Sequence, residues 1–570
     1  MPILGASFQI GRSALNAYQA ALAITGQNIA NLGNADYARQ TASLAAAVGG
    51  PLTTVGRPGA GVNLTAIRRH VDAALENRLR LALGSRSGAE ALSGALVQVE
   101  TLYNELSDSD ISTQLNTFFA GFGTLQTDPA DSGLRTVTLS NVQALVQSFH
   151  RVRGGLADQI GGLNDQIRDA AEVINRLADE IASLNAQIVR QEADGRSIAS
   201  ALRDRRDAAL RELAGYVDIQ TREQEGGALL VYVGSEPLVQ FDRSRGVAVR
   251  TQIVNGIETV DLRFADNDSS LRVGAGRLGG LVRARDNILS DQIGRLDQLA
   301  AGLIYEVNRL HTTGVGLVAH ESLTSSNAVS SADQPLNQAL AHLPFPVENG
   351  VLIVKVRDQA TGQVTTRQVE IDLDGLNDDD TTLNDLATAL DAIDGLSASV
   401  TSDGRLKIDA EAGREFWFSD DSSGVLAALG VGGLFVGTDA ATIDVDPAIE
   451  ADPRLIATSQ SGLASDGDLA GRIAQLAQSD STSELLSGMS IPDFHQDIVN
   501  RLGSASGAAQ REFESADAVY AGLLAQRESV SGVNADEEAI NLMRFERAYQ
   551  SAARYLSVLD ELSQEVLNLV

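Results

Sequence analysis

The sequence predicts an α+β, multidomain protein: long terminal helices forming a coiled-coil domain, a helix-rich domain with a small β segment, and an inserted, mainly-β outer module. Three observations predict it. Apolar residues step by three and four at both ends, the longest unbroken heptads lie between them, and period-two alternation is confined to two internal segments. The divisions follow from these patterns. Residues 1–62 with 528–570 make the terminal domain, 63–330 with 455–527 a helix-rich middle with hairpins at about 216–265, and 345–450 the inserted α+β module.

Taken in order, Leu15, Tyr18, Leu22, Thr25, Ile29 and Leu32 form the first stripe, and Gly33-Asn34 ends it as helix C-terminal residues do. Residues 35–62 read as a loop punctuated by GGP and RPGAG. Helical spacing returns from Leu64 to Leu106. Ile160, Leu163, Ile167, Ala170, Ile174, Leu177, Ile181, Leu184 and Ile188 then keep the heptad without a miss, a stripe expected to pack within one subunit. Leu229, Val231 and Val233 alternate, and Asn255-Gly256 between two apolar runs is a hairpin signal. Another helix is expected over about 279–310. Residues 318–340, rich in Ser and Asn, read as a linker or flexible loop, and 459–490 as a further polar stretch. Between them VLIVKVRD and RQVEIDL read as strands, with Trp417 in the module core. TTLNDLATALDAI reads as a helix opened by a Thr382/Asp385 capping box, and Asp403-Gly404 as a hairpin turn.

The last segment mirrors the first. Asn534 stands at an N-cap with Asp536, Glu537 and Glu538 in the first turn, where the helix dipole favours carboxylates. Its stripe is Leu542, Phe545, Tyr549, Ala552, Leu556, Leu559 and Val566. An isolated helix cannot bury its own stripe, so both ends are expected to pair with each other and with another subunit. The expected subunit and partner interface is Leu15, Tyr18, Leu22, Ile29, Leu32 and Tyr37 at one end, and Leu542, Phe545, Tyr549, Leu556, Leu559, Leu562 and Val566 at the other.

Composition limits the chemistry. The net charge of −31 argues against nucleic acid and anionic membrane surfaces as partners, since both require a basic footprint. Without cysteine there is no thiolate nucleophile, disulfide or thiolate metal site. The start, MPILGASFQIGRSAL, lacks the basic region and apolar core of a signal peptide, and no apolar run is long enough to span a membrane. Gly274 to Gly279, GAGRLG, matches a dinucleotide fingerprint but has no βαβ series around it, so it reads as a glycine-rich turn feeding a helix. DLDGLNDDD at 372–380 offers Asp372 and Asp374 in a calcium-loop register, but Leu376 and Asn377 break it, leaving a solvated acidic loop. The six histidines share no metal-ligand spacing. No catalytic, cofactor or metal residue is expected.

The two ends together resemble the bacterial flagellar rod, hook and hook-associated axial proteins. SALNAYQAALAITGQNIANLGNADYARQ is similar to the family's N-terminal motif, and the final forty residues, from Ser531, to its C-terminal one. Asn34-Ala35-Asp36 stands where the family usually has Thr-Pro-Gly. Tyr37-Ala38-Arg39-Gln40, GRLGGLVRARDNIL, and the pairing of SSGVLAALGV with TDAATIDVDPAIEADPRLIATS resemble the family's hook–filament junction members.

The resemblance implies a structural, non-enzymatic protein without cofactors, exported by the flagellar type III apparatus without a cleaved signal. It implies polymerisation at the distal end of the hook, contacts with hook protein, with a second junction protein and through it the filament, and a cytoplasmic export chaperone on the C-terminal helix. The alternatives are a hook or rod subunit, a nucleotide-cofactor enzyme using the Gly274–Gly279 turn, or a secreted adhesin or effector with borrowed flagellar ends.

Overall fold

The computed structural model describes residues 2–48, 59–103, 110–193, 198–254, 256–376, 379–481 and 484–568. The punctuation at 49–58, Asn255 of the hairpin turn, and Asn377 of the acidic loop lie outside them. The chain forms two compact units. One takes residues 1–95, 161–284 and 507–570, the other 96–160 and 285–506.

In the first unit the N-terminal helix, Pro2–Ala30, is followed by an antiparallel hairpin of Gln40–Ala46 and Val62–Arg69. The stretch read as a loop therefore contains a strand, and Leu64 belongs to a strand rather than a helix. The next helix begins only at Ala73. Val62-Asn-Leu-Thr-Ala-Ile-Arg-Arg69 is compatible with either period, and pairing with Gln40–Ala46 decides for the strand.

The heptad residues from Leu163 to Ile188, on the helix Ser132–Glu192, are all buried. Two asparagines on that helix fasten β-structure to it. Asn185 Nδ2 donates to the carbonyls of Leu229 and Phe241, both at 2.8 Å, and its Oδ1 accepts the Leu229 N–H. Ten residues earlier, Asn175 takes the N–H and C=O of Val247 in the same two-pronged way. Ten residues are about 2.8 helical turns, so the two amides stand about 15 Å apart along the helix and roughly 80° apart around it. They satisfy backbone groups of the four-stranded sheet (Ile219–Glu223, Leu229–Val233, Glu236–Gln240, Arg243–Ser244) and of the hairpin Val247–Val254/Ile257–Phe264. The alternation at Leu229, Val231 and Val233 places all three in the core.

The second unit contains the inserted module. Gly350–Asp358 is the middle strand of a sheet, between Val364–Ile371 and Arg414–Asp421. The helix Leu383–Asp391 carries the expected capping box of Thr382 and Asp385. Leu396–Val400 and Leu406–Ala410 form the hairpin around Asp403-Gly404. Trp417 is buried with Val315 and Ala319.

Residues 318–340 are no linker. Ser322–Thr324 adds a third strand to Leu406–Ala410, and Ser325 is fully buried, its Oγ donating to the Asn327 carbonyl. The polar side chains that suggested flexibility are consumed by backbone groups. Likewise 459–490 contains the helix Asp468–Gln475, whose Leu469, Ala470 and Ile473 are buried. The helix expected over 279–310 is present, but a π-helical turn at Ala284–Leu289 divides Gly276–Arg283 from Ser290–His311.

Buried histidines give this unit an acid limit. His311 donates from Nδ1 to the Gly432 carbonyl at 3.0 Å and accepts the Ala457 N–H on Nε2 at 2.9 Å, so only the neutral ring fits. Burial holds His311 and His320 down at about 4, against an ordinary 6.5. The unfolded chain therefore binds more protons between those values. Stability contributed by the two neutral rings is fully present above pH 6.5 and falls as pH drops toward 4, by about 1.4 kcal/mol per pH unit for each. Denaturant melts followed by the single tryptophan, Trp417, are expected to show this slope, and His320→Gln to lower it by one proton.

Candidate assembly interface

The C-terminal helix, Ala535–Asn568, lies antiparallel on the N-terminal helix within the first unit. Gly11 meets Leu556 at one end of the pairing and Asn28 meets Glu538 at the other. The N-terminal helix presents its small side: Gly11, Ala17, Ala21, Thr25 and Asn28 are buried. A Cβ on Gly11 would sit 2.6 Å from Leu556 Cδ2, so close approach requires glycine there. Helical phase puts Leu542, Phe545, Tyr549, Ala552, Leu556 and Leu559 on the same side as Glu538, facing the N-terminal helix. Ala552 and Leu559 are buried, the other four half-buried.

The residues expected at an interface therefore divide. Leu15, Tyr18 and Leu22 are half-buried, as are Leu542, Phe545, Tyr549 and Leu556, while Tyr37 and Leu559 are buried within this chain. Ile29, Leu32, Leu562 and Val566 are open to solvent. Sequence reasoning missed a second apolar side of the C-terminal helix, made by Ile540, Met543, Tyr555 and Val558 and continued by Leu562 and Val566. Ile540 is 62% exposed and Val558 52%. Its signal was a second three-and-four series offset from the first and interrupted by Arg547 and Ser551.

The loop after the N-terminal helix is tied to the start of the C-terminal one. Asn28 sits at the centre. Its Nδ2 donates to Glu538 Oε2 at 2.9 Å and to the Gln40 carbonyl at 2.8 Å. Its Oδ1 accepts the Tyr37 hydroxyl at 2.7 Å and the Gln40 N–H at 3.0 Å. All four hydrogen-bonding positions of the amide are used. Arg39 Nε donates to Glu538 Oε1 at 2.9 Å, its Nη1 pairs with Glu537 at 2.9 Å, and its N–H bonds the Ser531 carbonyl. Burial, with Asp204 and Glu538 nearby, pushes Tyr37 up to about 12, so its hydroxyl remains a donor at neutral pH.

Asn34-Ala35-Asp36 makes its turn by other means than proline. Gly33 has φ +78°, Asn34 Oδ1 accepts the Asp36 N–H, and the Ala35 carbonyl takes Arg527 Nη1 at 2.7 Å. Arg527 Nε also donates to the buried Glu76.

The GAGRLG turn is filled by protein backbone. A Cβ on Gly276 would lie 2.5 Å from the Tyr216 carbonyl, and one on Gly280 2.1 Å from that of Gly88. These glycines allow helices to touch. Asp372, Asp374 and Asp380 bring carboxylate oxygens within 4.8 Å of one another, and each already accepts a loop N–H.

Removing Asn28 leaves the Glu538 carboxylate and the Tyr37 hydroxyl short of partners in a buried place. Asn28→Ala is expected to cost about 3 kcal/mol locally. Amide exchange is the measurement: protection should fall over residues 33–46 and 535–545 and stay unchanged over 163–188.

Comparison with known proteins agrees with this architecture. The family described as "Flagellar hook-associated protein FlgK helical domain" matches residues 96–322, and "Flagellar basal body rod FlgEFG protein C-terminal" matches 525–569. Flagellar hook-associated protein 1 of Salmonella typhimurium is 27% identical, covering 98% of each chain. Those of Escherichia coli and Bacillus subtilis are each 25% identical over 98% of this chain, covering 98% and 97% of their own. The solved flagellar hook junction protein FlgK from Burkholderia pseudomallei superposes with a TM-score of 0.49 and 16% identity, covering 80% of this chain and all of its own. With family models matched in its helical body and at its C-terminal helix, and relatives matched from end to end, this chain is similar throughout to flagellar hook-associated protein 1, whose known members are flagellar structural proteins and not enzymes.

Proposed function

We propose that this protein is the first junction subunit between flagellar hook and filament. It polymerises at the distal end of the hook and offers the surface on which a second junction protein, and then the filament, assembles. Residues 1–62 with 528–570 form the inner layer of that polymer, 63–330 with 455–527 its middle, and 345–450 the outer module. The protein works outside the cell, after export through the flagellar type III apparatus without a cleaved signal. A cytoplasmic chaperone covers the C-terminal helix beforehand. Neither nucleic acid nor membrane insertion enters this role; no helix among the described residues is long and apolar enough to cross a membrane.

One observation carries the reading. With its front engaged by the N-terminal helix, the C-terminal helix still exposes Ile540, Met543, Tyr555, Val558, Leu562 and Val566 on its back. A helix apolar on two sides has one side left for a neighbour. Ile29 and Leu32, open at the end of the N-terminal helix, extend the supply of unburied apolar surface. A contact made by different patches on successive subunits continues axially, as a tubular assembly requires.

Deleting the gene and viewing cells by electron microscopy tests the role. Hooks without filaments, with filament subunit lost to the medium, are expected; normal filaments would sink the proposal. The double variant Val558→Asp/Leu562→Asp tests the surface. Both positions are exposed, so each substitution should change monomer stability by no more than about 0.5 kcal/mol. Filament formation should nonetheless be lost in cells complemented with it.

A further inference from the structure

We propose that a pocket in the first unit, walled by the helices Ala73–Tyr103 and Ser200–Tyr216 and by the strand Ile219–Glu223, binds a small inorganic oxyanion through Arg80 and Arg206. The cavity measures about 390 Å³ and is lined by four arginines and three carboxylates, in a chain whose net charge is −31. What matters is how those charges are distributed. Each carboxylate is already taken by an arginine other than these two. Glu76 holds Arg527 at 2.7 Å and Arg211 at 3.3 Å, Asp207 holds Arg69 at 2.8 Å, and Glu223 holds Arg203 at 2.7 Å.

Arg80 and Arg206 are left over. Arg80 is 8% exposed, and its guanidinium makes one hydrogen bond, from Nη2 to Thr221 Oγ1 at 3.2 Å. Its buried Nε has no acceptor, and among the described residues no carboxylate oxygen lies within 4 Å of it. Arg206 is 2% exposed. It donates from Nη1 to Asn185 Oδ1 and to the Gly227 carbonyl, has no acceptor at Nε, and reaches its nearest carboxylate, Glu223, only at 4.0 Å. Burial draws both guanidiniums below their ordinary range.

Asp207, Glu76 and Glu223 offset part of the charge on these two guanidiniums without accepting at either Nε, and the remaining charge and acceptors must come from elsewhere. A tetrahedral oxyanion supplies both, since its oxygens match the planar donor edge of a guanidinium. The lining includes no aromatic ring to stack a base, which favours a bare inorganic ion over a nucleotide.

Isothermal titration calorimetry and phosphorus NMR on the full chain, with inorganic phosphate at constant ionic strength set by gluconate, test the site. Saturable binding of one phosphate per chain is expected, with sulfate competing. Arg80→Met, which keeps the aliphatic stem, should weaken it at least about tenfold, and Arg80→Lys less. Absence of saturable binding to the native chain at millimolar phosphate would mean that water alone solvates the guanidiniums and would overturn the proposal. Undiminished binding by Arg80→Met would overturn it as well. If circular dichroism shows that Arg80→Met does not fold, Arg80→Lys takes its place, and unchanged affinity there counts against the site in the same way.

Discussion

A carboxylate almost shut off from water, that of Glu538, fastens the two ends of the chain to one another. Its burial is tolerable because one oxygen meets Arg39 and the other meets Asn28, and because it sits in the first turn of a helix whose dipole favours it. The rest of the inner region is arranged around that demand. Gly11 lets Leu556 of the C-terminal helix come close, and at the other end of the same pairing Asn28 reaches Glu538. Arg39 can reach it only because Gly33 and Asn34 turn the chain back. Tyr37 and Gln40 are then held by the same amide that holds the carboxylate. The loop motif is thus a device for delivering one cation and one amide to one buried anion.

The second theme is economy of surface on the C-terminal helix. One side, carrying Leu542, Phe545, Tyr549, Leu556 and Leu559, is committed to the N-terminal helix. A second apolar set, Ile540, Met543, Tyr555 and Val558, is left exposed on the opposite side. This division keeps the side that folds back on the same chain apart from the side that stays exposed. The N-terminal helix is flanked additionally by the hairpin, where Ser13 Oγ accepts the Val62 N–H.

Much of the fold was legible because it is periodic. The heptads of 163–188, the alternation at 229–233, the Thr382/Asp385 box and the Asn534 cap are local patterns, and each acts as its pattern implies. The failures share a cause. The strand Val62–Arg69 depends on a partner across a long connection, and Ser322–Thr324 on one some eighty residues downstream, so neither declares itself locally. Gly11, Ala17 and Ala21 carry too little hydrophobicity to stand out from Leu15 and Leu22, although they are the more deeply buried. The three-and-four spacing marks an apolar stripe at each end, but spacing alone does not separate the residues that are buried within the chain from those that stay exposed. The Asn28–Glu538 contact has no local signature at all.

That contact joins residues 510 positions apart. Loop closure over such a span is entropically expensive in absolute terms but nearly indifferent to further length, each doubling adding only about 0.6 kcal/mol. The junction of the ends is therefore insensitive to how much protein is strung between them. Segments such as 345–450 can be enlarged, shortened or exchanged in evolution while the terminal pairing stays as it is. The cost falls on kinetics instead: contacts of such high sequence separation raise the contact order, which slows folding. The terminal pairing therefore weighs on how fast the fold completes rather than on how stable it is once complete.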